Sequence, residues 1–137
     1  MKNSGMSPDR VREIAHHRDN AHRSSIERNF DFARMSFLKW VECVKQQNKI
    51  RGGALESELQ EAENEYGEFA KTDPLFLNTC NAILPVIQSS PGILQTELYK
   101  RLPQISKSTL SYALYFAAAH GRIIRETKGR TFMLTIS

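Results

Sequence analysis

Apolar residues recur at helical spacing over a long stretch in the first half of the chain. Between residues 25 and 51 they follow one another at intervals of four, three, four, three and four. The series comprises Ile26, Phe30, Ala33, Phe37, Trp40 and Val44. This spacing predicts a long helix with one apolar stripe, and Gly52 and Gly53 after it predict a C-terminal cap and a reversal of the chain.

The stretch that follows the two glycines repeats the spacing of four, three, four and three, and its other faces are rich in glutamate. Its apolar positions are Leu55, Leu59, Ala62, Tyr66 and Phe69. Residues 8–73 are therefore expected to form an antiparallel helical hairpin used for dimerisation. Ser7 followed by Pro8 predicts the start of an earlier helix, which either breaks or stays exposed between residues 15 and 20. Residues 1–7 are expected to be a disordered tail.

The last part of the chain, residues 74–137, shows a different order of elements. An apolar helix with Pro85 inside it or at its first turn is followed by a turn and by a short helix over residues 95–102. A third helix begins after a Ser106 cap and stops at Gly121. Residues 122–127 and 131–136 then read as two short strands joined by a basic, glycine-containing loop. The expected fold class is mainly α with a small β-hairpin.

Charge is distributed unevenly over the 137 residues, whose formal net charge is +4. Residues 1–51 carry eleven basic and six acidic side chains, residues 52–74 one and seven, and residues 75–137 seven and two. The blocks are therefore +5, −6 and +5. A basic C-terminal block favours a polyanionic partner, and the acidic block more plausibly faces the basic first segment.

Several classes of protein are disfavoured by what the sequence lacks. Cys43 and Cys80 are too few and too isolated for a zinc cluster or a disulfide scaffold, and they are expected to be reduced thiols of a cytoplasmic protein. His17 and His22 are five residues apart, which does not fit a helical metal pair. No catalytic constellation, phosphate-binding glycine loop, signal peptide or membrane span is recognisable. We therefore expect no enzyme activity, no metal, no cofactor and no membrane partner.

The sequence from about residue 75 to residue 137 resembles a winged helix-turn-helix domain. SPGILQTELYKRL matches the turn and second helix, SKSTLSYALYFAAAHG the recognition helix, and RIIRETKGRTFMLTI the wing. The segment is similar to those of bacterial regulators of the multiple-antibiotic-resistance and arsenical-resistance kinds. The resemblance covers a little under half of the chain, and the N-terminal helices resemble no family that we recognise.

The resemblance implies binding to double-stranded DNA through the third helix, the wing and the start of the second helix. The implied contacts are Gln95, Thr96, Ser106, Lys107, Ser108, Thr109, Ser111, Tyr112, Tyr115, Arg122, Arg125, Lys128 and Arg130. Hydroxyls and cations suit phosphate oxygens. The groove face of the third helix nevertheless lacks the Arg, Asn or Gln that reads guanine or adenine, so backbone and shape recognition should dominate.

The function that these features predict is a dimeric, DNA-binding transcriptional regulator. Its N-terminal helices are expected to dimerise through Ile26, Phe30, Phe37, Trp40 and Val44. The aromatic residues there fit a core or a dimer interface better than an effector pocket, and no small-molecule effector can be named. Two alternatives stay open: a winged-helix adaptor that binds another protein, and an accessory protein of plasmid or phage replication or partition.

Overall fold

A computed structural model describes residues 5–137 of the chain. The described part is mainly helical with a small antiparallel sheet, which confirms the expected fold class. Its elements are α1 (Pro8–Ile26), α2 (Phe30–Ile50), α3 (Glu56–Ala70), α4 (Pro74–Ser89), β1 (Ile93–Leu94), α5 (Gln95–Arg101), α6 (Lys107–Ala119), β2 (Ile123–Lys128) and β3 (Thr131–Ile136).

The predicted tail is only partly described, because residues 1–4 lie outside the described residues. Met6, within that predicted tail, is buried, and Ser7 caps α1 by accepting a hydrogen bond from the Arg10 amide. Pro8 stands in the first turn, where its missing N–H costs no helical hydrogen bond. The predicted start of this helix is confirmed, and the expected disorder does not extend to Met6 and Ser7.

The chain divides into two compact units, residues 1–69 and residues 70–137, which we call the N-terminal unit and the C-terminal unit. The sequence placed the boundary after residue 73. Asp73 is fully buried in the C-terminal unit, where its side chain accepts a hydrogen bond from the Leu75 amide and so caps α4. This cap explains why the boundary precedes Asp73.

The N-terminal unit is built on α1 and α2, which make its closest backbone packing. α1 runs unbroken through residues 15–20, so the break, one of the two alternatives, does not occur; His16 and Asp19 are exposed there, and the other four residues are half-buried. The predicted hairpin of α2 and α3 is joined through large side chains. The ring of Phe37 stacks on Tyr66 and on Phe69, with centroids 5.7 and 5.1 Å apart. These aromatic residues form the core that joins α3 to α2.

The C-terminal unit packs its three helices against a three-stranded antiparallel sheet with the order β1-β3-β2. β1 was not predicted as a strand; it forms where Ile93 pairs with Leu134 and Leu94 with Met133. Pro85 lies inside α4, exposed to solvent. The largest fully buried side chains of this unit are Phe76, Ile83, Ile87, Leu98, Leu110, Leu114 and Leu134.

The hairpin formed by β2 and β3 has the predicted position and loop. Its ladder runs from the pair Ile123 and Ile136 to the pair Lys128 and Thr131. Gly129 and Arg130 form the two-residue loop between them, and Gly129 has a φ of 63°. A left-handed residue at this point suits a tight hairpin turn, and glycine adopts that conformation without a steric penalty.

Within residues 5–137, no helix combines the length and the apolar character that crossing a bilayer requires.

Candidate nucleic-acid interface

The N-terminus of α6 is built by Ser106, as the sequence predicted. The Ser106 hydroxyl accepts a hydrogen bond from the Thr109 amide at 3.2 Å and donates one to Thr109 Oγ1 at 2.9 Å. The cap therefore engages the Ser106 hydroxyl and the amide and hydroxyl of Thr109. Lys107 and Ser108 lie exposed in the first turn, next to the remaining amides that an anion could contact.

The tip of the hairpin presents two cations to solvent. Lys128 ends β2, Arg130 stands in the loop, and both are exposed. Neither forms an ion pair with any residue in the range 5–137. Arg122 is likewise exposed at the base of the hairpin. These three cations are placed as the sequence predicted and are available to a polyanion.

Arg125 and Gln95 lie elsewhere than expected, because the fold uses them to join β2 to α5. Arg125 Nε donates to Gln95 Oε1 at 3.2 Å, and the guanidinium lies 3.9 Å from the centroid of the Phe132 ring. Burial lowers the pKa of Arg125. Gln95 is only 7% exposed and donates through Nε2 to the Tyr99 hydroxyl at 2.6 Å. The phosphate contact expected of Gln95 does not fit this geometry. Arg125 instead holds the wing against α5. Thr96, which follows Gln95, is exposed.

Tyr112 also differs from the expectation, because it points into the C-terminal unit. Its hydroxyl donates to Asp73 Oδ2 at 2.8 Å. Its ring meets Phe76 and Phe116 edge-on, at centroid distances of 6.1 and 5.5 Å. The half-buried Tyr112 thus supports the cap of α4, and it is not on the groove face that its sequence position suggested. Tyr115 remains on the outside, 45% exposed.

The remaining predicted residues of α6, Thr109 and Ser111, are half-buried. The predicted DNA contacts did not include Lys100 and Arg101, two exposed cations in the last turn of α5. Arg101 donates to Ser90 Oγ at 3.0 Å. Lys100 and Arg101 are visible in the sequence as a basic pair directly before the end of the predicted second helix.

The residues predicted to dimerise fall into two groups. Phe37, Trp40 and Val44 are buried inside the N-terminal unit of a single chain, so they are core residues and offer little surface to a partner. Phe30 is half-buried against Phe69, with ring centroids 6.3 Å apart, and Ile26 is exposed. Apolar side chains that the sequence did not assign to an interface are exposed on α2, namely Phe32, Met35, Leu38 and Ile50.

The histidines of α1 have separate partners. His22 lies 2.6 Å from a carboxylate oxygen of Glu65 and meets the Trp40 ring edge-on. His17 instead lies close to Glu13 and to Cys43 of α2, and these three side chains could hold a metal ion together. The sequence prediction set aside His17 and His22 as a metal pair and did not name the group of Glu13, His17 and Cys43.

Comparison of the chain with protein-family models, with curated proteins and with solved structures finds no match.

Proposed function

We propose that the protein is a DNA-binding transcriptional regulator whose C-terminal unit contacts duplex DNA. The observation that carries this proposal is the exposure of Lys107 at the start of α6 together with Lys128 and Arg130 at the hairpin tip. The order of three helices followed by a two-stranded hairpin also fits a winged helix-turn-helix domain. Exposed cations next to the first-turn amides of α6 that the Ser106 cap leaves unused suit phosphate groups.

Recognition should rest on the DNA backbone and on DNA shape. Gln95, Arg125 and Tyr112 are held by contacts within the unit. Among the predicted residues of α6, those left exposed are Lys107, Ser108 and Tyr115 besides the cap, and none is an Arg, Asn or Gln. Without bidentate readers of guanine or adenine, the affinity should vary modestly with base sequence and strongly with salt.

The regulator is proposed to act as a homodimer in the cytoplasm, joined through its N-terminal unit. With Phe37, Trp40 and Val44 in the core, the surface that supports this proposal consists of Ile26 and of the exposed apolar residues of α2. Phe32, Met35 and Leu38 follow one another at intervals of three residues on α2, and neighbouring exposed apolar groups are typical of protein interfaces. Replacing Met35 and Leu38 by Glu should give a folded monomer in light scattering. A wild-type chain that is already monomeric at micromolar concentration would contradict the proposed dimer.

The proposal is tested by measuring affinity for a random-sequence duplex against salt concentration. Each phosphate neutralised contributes a slope of roughly −0.9 in log K against log salt. Replacing Lys128 and Arg130 together by Ala should therefore weaken binding at low salt and reduce the slope by about 2. The matched control replaces Lys45 and Lys49, two exposed cations of α2, and should leave both quantities unchanged. Equal losses of affinity in the two double variants would mean that the wing is not part of the DNA interface.

A protein-binding adaptor is the second candidate, supported by apolar side chains left exposed in the C-terminal unit. Tyr115 and Ile124 are each 45% exposed. Aromatic side chains of this kind often anchor protein interfaces. Absence of duplex binding even at low salt, together with a partner whose capture is lost in Tyr115→Ala, would favour this candidate over DNA.

A further inference from the structure

Three side chains with different metal-binding atoms lie together in the N-terminal unit. Glu13 and His17 belong to α1, and Cys43 belongs to α2. The carboxylate oxygen, imidazole nitrogen and thiol sulfur all lie within 4.8 Å of one another. We propose that Glu13, His17 and Cys43 form a binding site for a borderline-soft divalent cation, of which Zn²⁺ is the best fit. This site is independent of the proposed DNA contacts.

The positions follow from the packing of the two helices. Glu13 and His17 are four residues apart, so they lie on one face of α1, one turn above the other. α2 returns along α1, and the same packing that brings Cys43 to His17 brings Trp40 to His22, whose rings are 5.6 Å apart. Because the two helices pack against each other, the three donors lie near one another before any ion binds.

The donor set selects the class of ion. Imidazole nitrogen and thiolate sulfur are ligands of zinc and related transition metals, whereas magnesium and calcium take oxygen ligands. Bond lengths of about 2.0–2.3 Å imply ligand atoms roughly 3.3–3.6 Å apart in a tetrahedral site. The donors would therefore approach one another by about 1.5 Å at most, which side-chain rotation can supply. Three protein ligands leave the fourth position to water or to an exogenous ligand.

Neighbouring groups favour the ion in some respects and compete with it in others. Arg10 donates to Glu13 Oε1 at 2.9 Å, but this ion pair is solvent-exposed and worth little. Burial, and then His16, lower the pKa of His17, which favours the neutral imidazole that binds metals. Burial, and then Glu13, raise the pKa of Cys43, so the ion must displace the thiol proton into solvent. The same Glu13 carboxylate attracts the cation that replaces this proton.

The site is tested by titrating the reduced, metal-free protein with Co²⁺, which substitutes for zinc and absorbs light. Saturation should occur at one ion per chain, with visible bands of a tetrahedral centre and a near-ultraviolet charge-transfer band from the Cys43 thiolate. Cys43→Ser should abolish the charge-transfer band. His17→Gln and Glu13→Gln should each weaken binding at least tenfold, and Zn²⁺ but not Mg²⁺ should displace the cobalt.

Matched controls separate the site from incidental metal binding. Cys80→Ala removes the buried thiol of the C-terminal unit and should bind Co²⁺ as the wild type does. His16→Gln removes the exposed histidine next to His17, which acts on His17 only through space, and should therefore cost much less affinity than His17→Gln. A charge-transfer band that survives Cys43→Ser, or equal losses in His16→Gln and His17→Gln, would overturn the proposal.

A second measurement needs no variant. Zn²⁺ should protect Cys43 of the wild-type chain from alkylation, read by mass spectrometry with Cys80 as the internal reference. Unchanged alkylation of Cys43 at saturating Zn²⁺ would also overturn the proposal.

Discussion

The two units differ in what fills their cores and in what their surfaces expose. The N-terminal unit is centred on stacked aromatic rings, with Phe37 against Tyr66 and Phe69. The C-terminal unit has a mainly aliphatic core and a fully buried carboxylate, Asp73, that joins two of its helices. Both units bury polar side chains, but the central contacts differ, being the ring stack around Phe37 in one unit and the hydrogen bonds of Asp73 in the other. The two units should therefore respond differently to substitution at these centres.

The largest expected effect is that of Phe37→Ala. Phe37 is 3% exposed and contacts three other aromatic rings, those of Trp40, Tyr66 and Phe69. Its truncation should leave a cavity and lower the free energy of unfolding by about 3–5 kcal/mol. Trp40 is the only tryptophan in the chain, so urea unfolding followed by its fluorescence reports on this unit.

Phe32→Ala is the matched control for this loss, because it removes the same side chain from the same helix. Phe32 is 39% exposed, and its truncation should cost about 1 kcal/mol or less at fixed protein concentration. If Phe32 lies in a dimer interface, its loss should instead reduce the dependence of stability on protein concentration. Equal costs for the two variants at all concentrations would mean that the aromatic stack does not dominate this core.

Asp73→Ala should give the next largest effect, in the C-terminal unit. The change removes the side-chain acceptor of the Leu75 amide and leaves the Tyr112 hydroxyl without Asp73 Oδ2. Lost capping and a part-buried hydroxyl left without this partner should together cost about 1–3 kcal/mol. Amide hydrogen exchange, measured by mass spectrometry on peptides of α4 and α6, should show faster exchange.

Asp73→Asn tests whether these contacts explain the loss. Its amide oxygen can still accept from Leu75, and the Tyr112 hydroxyl can accept from the new amide group, since a hydroxyl both donates and accepts. The cost should therefore be smaller than that of Asp73→Ala. A loss as large as that of the alanine variant would assign the effect to the negative charge of Asp73.

Features that depend on local backbone chemistry were predictable from the sequence. Ser7 with Pro8 marked the start of α1, Ser106 that of α6, and Gly129 the hairpin loop, because each residue type satisfies or permits a specific backbone geometry. The mainly helical fold class followed from the same signals combined with the apolar spacing. The predictions of DNA binding and dimerisation remain predictions.

Features that depend on distant partners were not predictable. β1 exists because Ile93 and Leu94 find β3, which lies about forty residues further along the chain. Tyr112 reaches Asp73 across 39 residues, and Arg125 reaches Gln95 across 30, so helical periodicity could not show that these polar groups are engaged. The group of Glu13, His17 and Cys43 likewise requires α2 to return along α1, and spacing within a single helix reveals only two of its members.

The smallest expected effect compares one serine cap in each unit. Ser7 and Ser106 cap their helices in the same way, by accepting a hydrogen bond from the amide three residues later. Ser106→Ala should lower the free energy of unfolding by about 1 kcal/mol, because α6 is central to its unit and buries much of its length. Ser7→Ala should lower it less, since the first turn of α1 is largely exposed and can fray without loss of the core.

Local and global effects of the two caps are separated by hydrogen exchange at the amides that they accept from, those of Arg10 and Thr109. Both amides should exchange faster in the corresponding alanine variants, but only Ser106→Ala should also speed exchange in the core of its unit. Asn at either position keeps a side-chain acceptor and should restore protection. If Ser7→Ala proves as costly as Ser106→Ala, the first turn of α1 unfolds with the core of its unit, and the buried Met6 beside Ser7 is the contact that would couple them.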